Sequence, residues 1–164
     1  MSEPRLFLVA LAGTEDPALP QQVANAVGPD GSAMELTLLH VEETGPRELA
    51  AYHPAVRRGL WPLPKKTVIE HRLADADHEA TAALLAVWHE KFAAALPGIK
   101  ITHLVAQGRP EQEIIAAAER LNADAVILCA RPHTGPTEPG PRSVGHVARF
   151  VVDHSPVPVL LIRR

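Results

Sequence analysis

The C-terminal segment, from residue 124 onward, constrains the fold more than any other part of the chain. Asp124 to Ala130 is a short apolar run with β-branched residues, typical of a strand buried on both faces of a parallel sheet. A loop of prolines and glycines follows at 131–142, and apolar residues then recur at helical spacing between Ser143 and His154. A last apolar run, Val157 to Ile162, predicts another strand. The segment therefore predicts a strand, a loop, a helix and a strand.

The apolar stripe of the last helix is expected on one face, because its members are spaced at i, i+3, i+4, i+7 and i+8. It comprises Val144, Val147, Ala148, Val151 and Val152.

The preceding chain alternates in the same way between strands and helices. The predicted strands are Leu6–Ala12, Met34–Val41 and Ile99–Ala106, and the predicted helices are Pro17–Val27, Val68–Leu96 and a helix that begins at Pro110. Five strands alternating with four helices predict a parallel sheet with right-handed crossovers. The residues at about 43–75 are the least regular and are interpreted as a surface excursion, with a flap over a ligand crevice as the alternative.

Local signals refine these helices. Asp77 is a plausible N-cap for the regular part of the long helix, which presents Leu85, Trp88 and Phe92 at helical spacing. Pro110 suits the first position of the next helix, where its missing N–H costs nothing. Lys100 and His103 interrupt the third strand, which places it nearer a sheet edge.

Composition narrows the class of protein. The 164 residues allow one domain with a real core, and 46% hydrophobic with 21% charged residues is typical of a globular chain. The formal net charge of −3, without a basic block, argues against nucleic acid or an anionic membrane surface as the main partner. No apolar run is long enough to span a membrane and no signal-peptide pattern opens the chain, so a cytoplasmic protein is expected. The lone cysteine, Cys129, is interpreted as core filler.

The C-terminal segment resembles the universal stress protein family. Many members carry a glycine motif that grips ATP phosphates, G-x2-G-x9-G-(S/T), and Gly135 and Gly145 are separated by nine residues as its second and third glycines are. The sequence from Gly145 to Ile162 is similar to the family's ending over its whole length. The first glycine position holds Pro132 and the Ser/Thr position holds His146, so half of the motif is present.

This resemblance implies a fold and a site. The fold is a single α/β domain over residues 1–164, doubly wound and Rossmann-like, with a five-stranded parallel sheet of order 3-2-1-4-5. In such sheets ligands bind beyond the carboxyl ends of the strands, where the strand order reverses. The residues expected around this crevice, with ATP or another adenine nucleotide as the ligand class, are Ala12, Gly13, Thr14, Val41, Ala130, Arg131, Gly135, Gly145, His146 and Val147.

Departures from the family pattern predict that ATP binding is weak or lost. Ala12 stands where the family has an aspartate that contacts adenosine, and four prolines between 131 and 142 remove N–H donors from the phosphate loop. The alternative is an ATP-binding member in which side chains such as Arg131, Arg142 and His146 replace those donors.

Enzymatic readings have weaker support. Thr14-Glu15-Asp16 faintly resembles the signature of ATP-cleaving α/β enzymes, but the glycines and serine of that signature are missing. A phosphoacceptor of the response-regulator type needs a carboxylate at the end of strand 3, which ends in Leu104-Val105-Ala106. His89-Glu90 begins an H-E-x-x-H pattern whose second histidine is absent. Neither catalytic nor metal-binding residues are therefore predicted, and the chain is interpreted as a stress-response sensor or interaction module that contacts protein partners.

Strand 5 is predicted to form a dimer interface. In the family's order Val157 to Ile162 is an edge strand, and it carries Pro158 but no charge before Arg163. The resemblance implies pairing of this strand with its copy across a two-fold axis, hence a homodimer.

Overall fold

A computed structural model describes residues 4–13, 15–28, 33–43, 66–130 and 144–163, with the side chains of 43 and 66–77 left aside. Five strands and four helices alternate along these ranges. The strands are β1 (Arg5–Leu11), β2 (Met34–Glu43), β3 (Lys100–Gly108), β4 (Ala125–Cys129) and β5 (Val159–Ile162). The helices are α1 (Leu19–Val27), α2 (Lys66–Ala95), α3 (Pro110–Arg120) and α4 (His146–His154).

The five strands form one parallel sheet of order β3-β2-β1-β4-β5, which confirms the predicted fold. β1 lies at the centre, with Val9 opposite Leu38 of β2 on one side and Ile127 of β4 on the other. The strand order reverses between β1 and β4, so the crevice predicted by topology lies beyond their carboxyl ends. Two hydrogen bonds between Asp124 and Leu6 hold the two strands in register. The Asp124 amide donates to the Leu6 carbonyl at 2.7 Å, and the Leu6 amide donates to the Asp124 carboxylate.

The sheet is covered on both faces, as its continuous apolar strands require. On one face α1 and α2 pack over the core, and Val9, Leu38 and Phe92 are almost completely buried there. On the other face α3 and α4 pack over Leu8 and Val126. Each such side chain contributes about 1.5–3 kcal/mol when it leaves water, so the two cores fix the sheet and with it the position of the strand ends.

The predicted helix starts of the N-terminal half need one correction. Asp77 is not an N-cap, because α2 runs without a break from Lys66 to Ala95. No proline or glycine occurs between Lys66 and Leu96, so nothing in the local sequence stops the helix before Pro97. The last ten residues of the expected excursion therefore belong to α2, and 44–65 lie outside the described residues.

Strand boundaries shift by one or two residues. β1 begins and ends one residue earlier than predicted, which leaves Ala12 just beyond it. β2 and β3 extend past their apolar residues to Glu43 and Gly108, since these two residues pair with each other in the sheet. β3 is an edge strand, as its polar residues predicted.

The C-terminal helix and strand both begin later than predicted. α4 starts at His146 because Gly145 has φ 95° and ψ 151°, which is not helical. β5 starts at Val159, since the hydroxyl of Ser155 donates to the Val157 carbonyl and accepts from its amide, forming a local turn. Ala148 and Val151 are buried, whereas Val144 and Val147 are half-buried and Val152 is 49% exposed, so the expected stripe is narrower than predicted.

Candidate functional site

The carboxyl ends of β1 and β4 bring several of the predicted site residues to one edge of the sheet. Ala12 and Gly13 follow β1, Ala130 follows β4, and Gly145 precedes α4. The other members lie on β2 (Val41) and in the first turn of α4 (His146 and Val147). Thr14, Arg131 and Gly135 lie outside the described residues.

The turn after β1 is closed by a carboxylate of the same turn. Glu15 accepts hydrogen bonds from the backbone amides of Ala12 and Gly13, one to each carboxylate oxygen, and the Gly13 bond is 2.8 Å long. Gly13 has φ 89°, a conformation that glycine adopts without strain. Two amides that point past the end of the central strand are thus already bound to a negative charge.

The same strand end is braced from both sides. His40, half-buried near the end of β2, contacts the carbonyl of Leu11 through its Nδ1 atom at 3.0 Å. On the face covered by α2, a Cβ atom at Gly13 would lie in ordinary van der Waals contact with the methyl groups of Leu84, at 3.7 and 3.8 Å. The end of β1 therefore lies against both β2 and α2.

A second carboxylate lies where α3 and α4 begin. Glu111 is 5% exposed in the first turn of α3. Arg109 Nε approaches one of its oxygens at 3.1 Å and His146 Nε2 the other at 3.8 Å, while the side chains of Arg109 and His146 remain largely exposed. Negative charge is stabilised at a helix N-terminus, so Glu111 itself supplies the anion that this end of the sheet favours.

A third carboxylate, Glu42, joins α2 to the ends of β2 and β3. It accepts hydrogen bonds from Thr81 Oγ1 at 2.9 Å, His78 Nδ1 at 3.1 Å and Gln107 Nε2 at 3.2 Å. Burial alone would raise the pKa of Glu42. The hydrogen bonds from Thr81, Gln107 and His78, together with the charge of His78, outweigh burial and hold this pKa below its ordinary value. Glu42 is therefore a structural anion that fixes α2 over the sheet edge.

Sequence comparison identifies the group of proteins that share this fold. The model of the Universal stress protein family matches residues 30–163, which is most of the chain. The chain belongs to the universal stress protein family. The resemblance carried by Gly135, Gly145 and the C-terminal residues is thereby confirmed at the level of the family.

Solved structures of universal stress proteins share the fold at low identity. A protein from Lactobacillus plantarum, UspA, is 22% identical, with a TM-score of 0.64 over 99% of this chain and 100% of that one. A family protein from Arabidopsis thaliana with AMP bound is 18% identical, with a TM-score of 0.61 over 98% of this chain and 92% of that one. One from Archaeoglobus fulgidus in complex with dAMP is 15% identical, with a TM-score of 0.55 over 96% and 97%. No curated protein matches the chain significantly.

Sequence reasoning about this universal stress protein missed the carboxylates that face its crevice. From the sequence, Glu15 was considered only within an enzyme-like tripeptide, and Glu111 was not singled out. The signal for Glu15 was its place two residues after a turn glycine, where an acidic side chain can accept from turn amides. For Glu111 the local signal was Arg109, two residues before it, whereas the contact with His146 joins residues far apart in the chain.

Two further features lie away from the crevice. A cleft of about 730 Å³ opens at the opposite, amino-terminal edge of the sheet, beside Phe7, Met34 and Ile99. Within the described ranges, no three His, Cys, Asp or Glu side chains come together as a metal site, and no helix is long and apolar enough to cross a membrane. Trp88 is 4% exposed and fills the core, as predicted, while Cys129 is half-buried at the end of β4.

Proposed function

We propose that this universal stress protein is a non-enzymatic sensor or interaction module of the stress response, with an adenine-nucleotide-type crevice in which ATP binding is weak or lost. Family membership supports the module, and the relatives solved with AMP and dAMP support the ligand class. The site is the one expected around Ala12, Gly13, Val41 and the start of α4, completed by Thr14 and the loop at 131–142.

The observation that carries this proposal is the bidentate contact of Glu15 with the Ala12 and Gly13 amides. A ligand whose phosphates approach the Ala12 and Gly13 amides has two routes. It can displace the Glu15 carboxylate, which is held there at an effectively high local concentration, or it can bind beside Glu15 and be repelled by its charge. A hydrogen bond to a charged group contributes about 1.5–3 kcal/mol, so either route weakens the binding of a polyphosphate.

Glu111 supports the same conclusion at the phosphate end of the crevice. His146 occupies the Ser/Thr position of the family motif and faces Glu111 at 3.8 Å. Part of the positive potential at the starts of α3 and α4 is therefore already neutralised by a buried negative charge. A ligand with few charges, such as a nucleoside monophosphate, is disfavoured less than ATP, which carries about four negative charges under the usual phosphate ionisation.

The contacts that Glu15, Glu42 and Glu111 already make also favour a role without catalysis. Glu15 binds backbone amides, Glu42 binds Thr81 and Gln107, and Glu111 pairs with Arg109. A general acid or base must instead reach the reacting group and exchange its proton at the operating pH. Each of these carboxylates is committed to a contact that holds the fold.

We further propose that the module acts as a cytoplasmic homodimer paired through β5. All four residues of Val159–Ile162 are half-buried, and in the described sheet β5 pairs with β4 on one side while its other side is an edge. A second copy of the strand would satisfy the edge amides of both chains at once. A sensor that catalyses no reaction must pass on its signal by binding another protein, and we propose that such a partner binds the dimer.

Native mass spectrometry of freshly purified protein tests this proposal. We expect the mass of the polypeptide dimer without ATP, and no sustained nucleotide hydrolysis in a steady-state assay. ATP retained at one molecule per chain would instead support the ATP-binding alternative, in which Arg131, His133, Arg142 and His146 compensate for the missing donors. Sustained turnover that co-purifies with the protein would contradict the non-enzymatic role.

A further inference from the structure

Two histidines face each other between α2 and the edge strand β3. His89 belongs to α2 and His103 to the edge strand β3, and their rings are 5.0 Å apart at the centroids and nearly perpendicular, at 88°. His89 Nδ1 and His103 Nε2 are 3.0 Å apart. The pair therefore joins a helix to a strand through two nitrogen atoms.

Both rings are carried on well-packed backbone. His89 lies next to Trp88, which is 4% exposed, and three residues before the fully buried Phe92. His103 is in register with the buried Leu38 of β2, so its side chain rises on the same face as α2. Two ligands held by separate rigid elements are pre-organised, which lowers the cost of holding an ion between them.

The nitrogen spacing suits simultaneous coordination of one metal ion. Imidazole nitrogens bind Zn²⁺ at about 2.0–2.1 Å. Two ligands at that distance are about 2.9 Å apart when the angle at the metal is a right angle and about 3.3 Å apart when it is tetrahedral. The observed 3.0 Å falls inside this window, towards the right-angled geometry of square-planar ions such as Cu²⁺ and Ni²⁺.

We propose that His89 and His103 form a binding site for a divalent late transition metal, tightest for Cu²⁺. Imidazole suits Cu²⁺, Ni²⁺ and Zn²⁺, and Cu²⁺ leads the affinity order for a given nitrogen site. In the described part of the chain no third protein ligand completes a cluster, so water fills the remaining positions.

Coordination requires only a change of tautomer. In the neutral pair one ring donates its N–H to the other, so one of the two facing nitrogens carries a proton. When the metal binds, that ring holds its proton on the distal nitrogen instead, and both facing lone pairs become ligands. This tautomer change releases no net proton. The ion can enter from solvent, because His103 is exposed.

The bound ion would cross-link α2 to the sheet edge. Because it binds the folded chain in a geometry that the unfolded chain lacks, it should raise the free energy of unfolding, and with it the melting temperature, as the logarithm of one plus its concentration over its Kd. The site would thus couple metal availability to the stability of the helix that covers one face of the sheet.

Titration of the full chain with Cu²⁺, followed by calorimetry and electron paramagnetic resonance, tests the proposal. The variants are His89→Gln and His103→Gln, with His154→Gln as the matched control, since His154 bonds to the Phe150 carbonyl in α4. We expect wild type and control to show one Cu²⁺ with nitrogen hyperfine structure from two imidazoles. Each variant should lose this signal and bind about tenfold more weakly or worse, since even second-shell changes cost that much.

Other histidines can bind Cu²⁺ elsewhere in the chain, but wild type, His89→Gln and His103→Gln share all of them, and the control lacks only His154. The difference in Cu²⁺ binding between wild type and the two variants therefore measures binding at the His89–His103 pair. Melting curves without metal establish that both variants are folded. An unchanged titration and an unchanged two-nitrogen signal in His89→Gln and His103→Gln would overturn the proposal.

Discussion

At the scale of single residues, Glu42 shows how a polar side chain fixes a helix over a sheet. Its carboxylate collects hydrogen bonds from Thr81 and His78 on α2 and from Gln107 on β3, and they hold its pKa below the ordinary 4.5. A depressed folded-state pKa contributes stability above the unfolded-state value, and this stability is lost as the pH falls through the folded-state value.

We therefore expect Glu42→Gln to be less stable than wild type by about 1–3 kcal/mol at pH 7, with a difference that shrinks as the pH falls below 4.5. Urea denaturation at pH 7 and at pH 3 measures it. Glu119→Gln, an exposed change on α3, serves as the control. A difference for Glu42→Gln that stayed constant with pH would show that its charge is not what matters.

At the scale of elements, the start of α4 depends on one glycine. Gly145 adopts φ 95° and ψ 151°, a region that is essentially reserved for glycine and costs other residues about 1–3 kcal/mol. We expect Gly145→Ala to lower the free energy of unfolding by that amount. Gln112→Ala, exposed on α3, should stay within about 0.5 kcal/mol of wild type. Chemical denaturation compares the two, and equal stability of Gly145→Ala and wild type would contradict the backbone argument.

The elements themselves were largely predictable from the sequence, and their ends were not. Hydrophobic period placed every strand and helix that the structure describes, because burial on a two-sided sheet selects apolar runs. The ends depend on contacts distant in sequence, such as the pairing of Glu43 with Gly108, or on φ values, as at Gly145. The prediction that Asp77 caps a helix was wrong, because a residue type that favours caps does not start a helix where the residues before it are also helical.

The strand ends around the candidate crevice were predictable from the sequence, whereas the side-chain contacts there were not. Topology placed Ala12, Gly13 and Gly145 at one sheet edge, since parallel strands end there together. The contacts of Glu15 and Glu111 depend on side-chain geometry that neither period nor motif spacing encodes. The sequence predicted weak ATP binding from missing groups, and we propose that Glu15 and Glu111 weaken it further.

At the scale of the whole molecule, the sheet has two edges, β3 and β5, and we assign the dimer to β5. Leu160→Lys places a charge in the middle of this strand, where pairing with a second copy would bury it. We expect light scattering to report a dimer for wild type and a monomer for the variant at micromolar concentration. Val105→Lys, at an exposed position of the opposite edge strand, is the control and should remain dimeric.

A dimer that persists in Leu160→Lys would move the interface away from β5. A wild type that is monomeric at micromolar concentration would remove the dimer altogether. Because β5 also packs against the core, circular dichroism of the variant must first show a native melting transition.

The account rests on Glu15 as the group that keeps ATP from the end of β1, and calorimetric titration with ATP of wild type, Glu15→Ala and Glu119→Ala tests this most directly. The two variants change the net charge equally, but only Glu15 contacts the Ala12 and Gly13 amides. We predict weak or undetectable binding to wild type and Glu119→Ala, and affinity at least about tenfold higher for Glu15→Ala, equivalent to about 1.4 kcal/mol. Low-micromolar binding to wild type, or no gain in Glu15→Ala, would contradict it.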